Sequence, residues 1–115
     1  MTVGCTLCCL RKNGKILLQM KTPGLFGGGK WNGPGGKIKQ KERPEKAAER
    51  EVFEETGLKI RNLKRHGILE FYNNNKKKPD IKVYVFSTSS FSGKIRHSKE
   101  GLLRWFPESI IPYEK

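Results

Sequence analysis

One stretch of this chain, Glu45–Thr56, reads as a helix, and runs that read as strands surround it. Pro44 suits a first helical turn, acids crowd the N-terminal half, and Gly57 stands where a helix stop belongs. Ala48 and Val52 lie one turn apart and can face a core. Before the helix, Thr2–Leu10 and Lys15–Met20 have strand character, joined through Arg11–Gly14 with its Asn-Gly hairpin signal. Lys21–Gly29, with Pro23 and three successive glycines at its end, predicts a flexible loop, either a plain connection or a lid beside a ligand. Trp31–Ile38 is Gly-rich and extended. After the helix come strand-like Leu58–Tyr72 and Ile81–Ser89, separated by a lysine-rich turn over Asn73–Asp80. Leu102–Phe106 is expected as a last short strand, with Pro107–Pro112 an irregular exit. One helix among strand pairs predicts an α/β (α+β) layer fold, a mixed β-sheet with the helix packed on it.

The 115 residues fit one domain, 1–115. A hydrophobic content of 35% against 30% charged residues is that of a globular chain, not a disordered one. No apolar run approaches the roughly 18 residues a membrane helix needs. No basic region leads into an apolar one near Met1, so no secretory signal is expected and the location expected is cytoplasmic. Cys5 and Cys8 have a CxxC spacing, but no second pair follows, and His66 and His97 lie far off. In a strand Cys5 and Cys8 face opposite ways, so Cys5, Cys8 and Cys9 read as small hydrophobes in a reducing compartment.

The net charge is +13, yet six of the eleven acids (Glu42, Glu45, Glu49, Glu51, Glu54 and Glu55) fall in one short stretch. Such a surface is either simply well solvated or attracts polyanions such as nucleotide phosphates or nucleic acid. Glu51, Glu54 and Glu55 are spaced to share one helix face. Three like charges there are costly unless a cation offsets them, and hard Mg²⁺ or Mn²⁺ prefers such oxygen ligands. Taken alone, that face is equally well an ordinary charged surface.

The surroundings decide between them. Gly36, five residues, Glu42, seven residues, then Arg50-Glu51-Val52-Phe53-Glu54-Glu55-Thr56-Gly57-Leu58 fills every defining position of the Nudix box. So long a pattern is specific, and the chain resembles Nudix hydrolases. Beyond the box, Lys30–Ile38, Thr6, Met20-Lys21 and Glu100 followed by Trp105-Phe106 resemble the MutT-type oxidised purine nucleoside triphosphatases.

That resemblance implies roles. Glu51, Glu54 and Glu55, with the Gly35 carbonyl, would hold Mg²⁺ (Mn²⁺ is the alternative), and Glu100 would be a further ligand or position the attacking water. Arg50 and Glu42 would orient the carboxylates. Lys21 and Lys37 would meet phosphate beside the Gly35-Gly36 turn. Thr6 and Asn32 would line the base pocket, with Leu69 and Phe71 its apolar wall. Trp31, Trp105 and Phe106 read better as packing residues, and the two histidines as exposed or structural.

The implied reaction is metal-dependent hydrolysis of a nucleoside triphosphate to the monophosphate and pyrophosphate, on oxidised purine nucleotides such as 8-oxo-dGTP. Other Nudix substrates (ADP-ribose, a dinucleoside polyphosphate, a capped RNA end) are the alternative. A non-catalytic nucleotide- or RNA-binding module is a further one, although it would not need all the glutamates. No membrane partner is expected, nucleic acid is less favoured than a nucleotide, and a monomer or homodimer is expected. MutT-type relatives carry a second helix that supplies acidic and aromatic groups to the purine. This sequence reaches Lys115 about where that helix would begin, so the helix is expected to be missing and an apolar sheet face left open.

Overall fold

A computed structural model describes residues 2–21, 31–72, 77–96 and 101–108. The first strands are β1 (Val3–Lys12) and β2 (Lys15–Lys21). Asn13 and Gly14 between them both have positive φ, 53° and 74°, the backbone that a two-residue hairpin needs. Leu10 pairs with Leu17, and beyond that point the strands part.

β2 then takes β3 (Trp31–Asn32) on the edge that β1 has left, with Gln19 opposite Asn32. Residues 33–38 belong to the stretch expected to be extended. They leave β2 and run along β1, where Cys8 N–H donates to Pro34 O and Thr6 N–H to Gly36 O, both 2.8 Å. The other edge of β2 pairs with β8 (Gly101–Pro107) along its whole length.

The far edge of β1 pairs in parallel with β6 (Ile81–Thr88), from Val3 opposite Ile81 to Leu10 opposite Thr88. β5 (Lys64–Phe71) closes that side antiparallel to β6. The sheet is therefore mixed, in the order β3-β2-β1-β6-β5 with β8 beside β2. The expected strand Leu58–Tyr72 is in fact two. Asn62, at φ 53°, breaks it into β4 (Lys59–Arg61) and β5. β4 pairs with β7 (Ser90–Ser92), a strand the sequence pattern did not predict.

The helix α1 spans Pro44–Thr56. No side chain caps its start, where Pro44 removes one of the amides needing a partner. Gly57, at φ 82°, ends it by donating its N–H to Phe53 O. Ala48 and Val52 are fully buried against Cys8, Leu10, Leu17, Phe86 and Leu103. Burying each larger apolar side chain of this group contributes about 1.5–3 kcal/mol. Strand alternation turns Val3, Leu69, Phe71 and Leu102 to the other face of the sheet, where they are 38–62% exposed. An open apolar face is thus present among the described residues. Residues 109–115, and with them the expectation about a second helix, lie outside the described residues.

Candidate active site

The site is built where residues 33–38 cross from β2 to β1 and α1 lies over them. Gly35 is required there by space, and Gly36 is crowded by a side-chain tip. A Cβ on Gly35 would strike the Thr6 carbonyl oxygen, and one on Gly36 would strike the Glu51 carboxylate. Thr6 is 4% exposed, and its hydroxyl is 3.4 Å from both the carbonyl and the amide of Gly36. It secures the strap rather than facing open space.

Arg50 organises the carboxylates. Its Nε and Nη2 both donate to Glu42, at 2.8 and 2.9 Å. Its Nη1 donates to Glu51 (2.8 Å) and Glu54 (3.1 Å), and Nη2 also reaches the Lys37 carbonyl at 2.9 Å. All five guanidinium donors are used, which a lysine could not reproduce. The bonds from Arg50, then the Lys39 amide, hold the Glu42 carboxyl down at about 2. The same contacts, Glu42 first, push the Arg50 guanidinium above its already high value.

The three expected ligands differ in burial. Glu55 is 3% exposed and accepts from Gly35 N–H at 2.9 Å, which ties helix to strap. The Glu51 side chain is nearly buried, whereas that of Glu54 is 52% exposed. So arranged, no three His, Cys, Asp or Glu side chains among the described residues converge as a metal-binding group. The donor chemistry still fits a hard divalent cation. Arg50 takes one oxygen of Glu51 and one of Glu54, leaving each a second.

A model of the NUDIX domain matches residues 2–114. This chain belongs to the Nudix family. An oxidized purine nucleoside triphosphate hydrolase of Danio rerio is 36% identical to this Nudix chain over 110 residues, 96% of this chain and 69% of the relative. An 8-oxo-dGTP diphosphatase of Buchnera aphidicola is 36% identical over 76 residues, 65% of this chain and 54% of the relative. The MutT NUDIX hydrolase of Burkholderia pseudomallei superposes with a TM-score of 0.85 over 99% of this chain and 89% of its own. At 23% identity that likeness speaks to the fold alone. A MutT protein of Bacillus halodurans, 26% identical, has a TM-score of 0.79 over 93% of this chain and 69% of its own.

The Nudix fold thus brings together Thr6, Gly35, Gly36, Lys37, Arg50, Glu51, Glu54 and Glu55. Asn32 lies on exposed β3 next to them. Lys21 ends β2 with its backbone opposite Gly101. Leu69 and Phe71 stand apart, since register turns them away from the side that Thr6 faces. Glu100 and His97 lie outside the described residues. Trp31 packs edge-on against Phe106 (5.0 Å), and Trp105 stacks on Phe91 (5.9 Å), as packing residues do. His66 Nε2 lies 2.5 Å from Ser87 Oγ at the surface. Cys8 and Cys9 are free thiols, with Cys8 buried and Cys5 partly so. No helix among the described residues is long and apolar enough to cross a membrane.

Sequence reasoning missed two groups near the site. Arg65 ties β5 to the first turn of α1 through Glu45 at 2.9 Å. Gln19 is a polar residue at the inward position two after Leu17, and that alternation was its only signal.

Proposed function

We propose that this Nudix hydrolase cleaves nucleoside triphosphates to the monophosphate and pyrophosphate, with oxidised purine nucleotides such as 8-oxo-dGTP as substrates and Mg²⁺ as the cation. The observation that carries this reading is the Arg50 knot, which holds two carboxylates of one helix face beside the Gly35-Gly36 strap. The activities of the Danio rerio and Buchnera aphidicola relatives support the substrate class. The cytoplasm, where such nucleotides lie, is the location that goes with it.

Glu51, Glu54 and Glu55 would hold the cation, with Gly35 and Glu100 as further donors. When bound, it neutralises phosphate charge and lowers the pKa of water. Arg50 fixes the direction of two of these carboxylates, which removes a reorganisation cost from the reaction. A glutamate of this face would accept a proton from attacking water, and Glu54 is the most open of the three. Lys37 and Lys21 are suited to phosphate charge, and Asn32, backed by Thr6, to the base. Leu69 and Phe71 would serve a base only if it reached across to the other face.

The test is a nucleotide panel with products identified. Pyrophosphate release should require Mg²⁺, favour oxidised purines and collapse in Glu54→Gln. Undiminished release by that variant would refute the mechanism.

A further inference from the structure

Gln19 is 1% exposed, and neither its amide nitrogen nor its amide oxygen has a hydrogen-bond partner among the described residues. A buried carboxamide left this way is destabilising, and an apolar side chain of the same shape would remove the penalty. Its place in the fold gives the reason for keeping it. Gln19 alternates with Leu17 and lies opposite Leu103, and both belong to the cluster that packs on Ala48 and Val52. It therefore points to the α1 side of the sheet.

Register then sets its position along the strand. Leu10 is opposite Leu17, so Gln19 lies level with Cys8. At that level β1 has left β2, and Pro34 occupies the Cys8 amide. Gly35 is the next residue, and its amide donates to Glu55. Asn32 stands opposite Gln19, so the Gln19 backbone is one strand spacing (~5 Å) and three residue steps from Gly35, the anchor of a buried active-site carboxylate. Gln19, on the α1 side of β2, and Glu55, reaching from α1 to the strap, thus flank the region where β1 and β2 separate.

We propose that Gln19 is a positioning residue of the carboxylate site. Its carboxamide, accepting and donating at once, hydrogen-bonds water in the hydration shell of the divalent cation held by the glutamates. This rests on the function proposed above, and it adds a contact from β2 rather than from the helix. An amide suits the task because it contributes a donor and an acceptor without adding charge among the carboxylates. Groups that orient a metal's ligands or waters typically change its affinity by 10–100-fold when removed.

The test uses the whole chain with Gln19→Leu, Gln19→Met and Glu54→Gln. Mn²⁺ is the probe. Its affinity is read by electron paramagnetic resonance, and its bound water by proton relaxation. Melting is followed with and without Mn²⁺. Without metal, the Gln19 variants should melt at or above wild type, because an unpaired buried amide has gone. With metal, they should bind Mn²⁺ about tenfold more weakly and show altered relaxation per bound ion. A residue with a merely structural role would not move the two readouts in opposite directions. Affinity within twofold of wild type and unchanged relaxation in either folded Gln19 variant would overturn the inference while leaving the carboxylate site standing. A wild-type chain that binds no Mn²⁺ would overturn both.

Discussion

Gly35→Ala should damage stability and the site together. The new methyl group would lie 2.7 Å from the Thr6 carbonyl carbon and 3.0 Å from Leu7 Cα, with the Thr6 oxygen closer still. These are backbone atoms of β1, held on their other edge by β6 through the Thr6–Tyr84 pair. They cannot swing aside as a side-chain tip would, so the strap must move. Forcing a group into packed space costs about 1–3 kcal/mol. Moving the strap also strains the bond from Gly35 N–H to buried Glu55, a charge-assisted bond contributing about 1.5–3 kcal/mol. The sum is about 2.5–6 kcal/mol. At roughly 4 °C per kcal/mol for a domain of this size, melting should fall by about 10–24 °C. Urea unfolding of wild type and variant gives the difference directly, and pyrophosphate release on the folded fraction should fall at least tenfold. A loss of stability below about 1 kcal/mol would show that the strap yields freely and that the close approach does not constrain it.

Glu54→Gln removes an exposed carboxylate, so stability should change by no more than about 0.5 kcal/mol while turnover is lost, a contrast read from melting and activity on one sample. Arg50→Lys keeps the charge but not the fork; melting should fall, with partial recovery on adding Mg²⁺, and an unchanged melting point would refute the five-donor account. Glu42 has its folded pKa depressed to about 2, against about 4.3 in an unfolded chain. Its contribution is therefore complete above about pH 4.3 and lost as pH falls toward 2, so Glu42→Gln should differ from wild type most at neutral pH and converge with it near pH 2, as acid melting series would show. Burial, with Cys9 adding to it, pushes the Cys8 thiol up to about 12, so Cys8 should resist alkylation at pH 8 until the protein is unfolded, as mass spectrometry of the labelled chain would show.

What was legible in the sequence was local. The helix, its Gly57 stop, the Asn13-Gly14 hairpin and the shared face of the glutamates each rest on neighbours within a few residues. What escaped depends on partners far along the chain. Nothing in Leu58–Tyr72 marks Asn62 as a break, because β4 exists only through β7, almost thirty residues later. Trp31–Ile38 looks extended, yet only Trp31 and Asn32 pair with β2, since the rest is drawn to β1. Thr6, expected to line a base pocket, bonds to Gly36 thirty residues on. Leu69 and Phe71 were expected beside it, and the register between β5 and β6 turns them to the other face.

The parallel pairing of β1 with β6 also bears on how the chain comes to be folded. Val3 meets Ile81 and Leu10 meets Thr88, so the central ladder joins segments 78 residues apart. A ribosome delivers the whole Gly36–Leu58 pattern well before it delivers Ile81. During that interval α1 has its residues but not the strand partner that steadies β1 beneath the strap. Long-range pairing of this kind is slow, and the waiting chain exposes its strand edges. Nascent chains halted near residue 60 should therefore contain the complete signature of the enzyme and none of its activity, which appears only once β6 has emerged and closed the sheet.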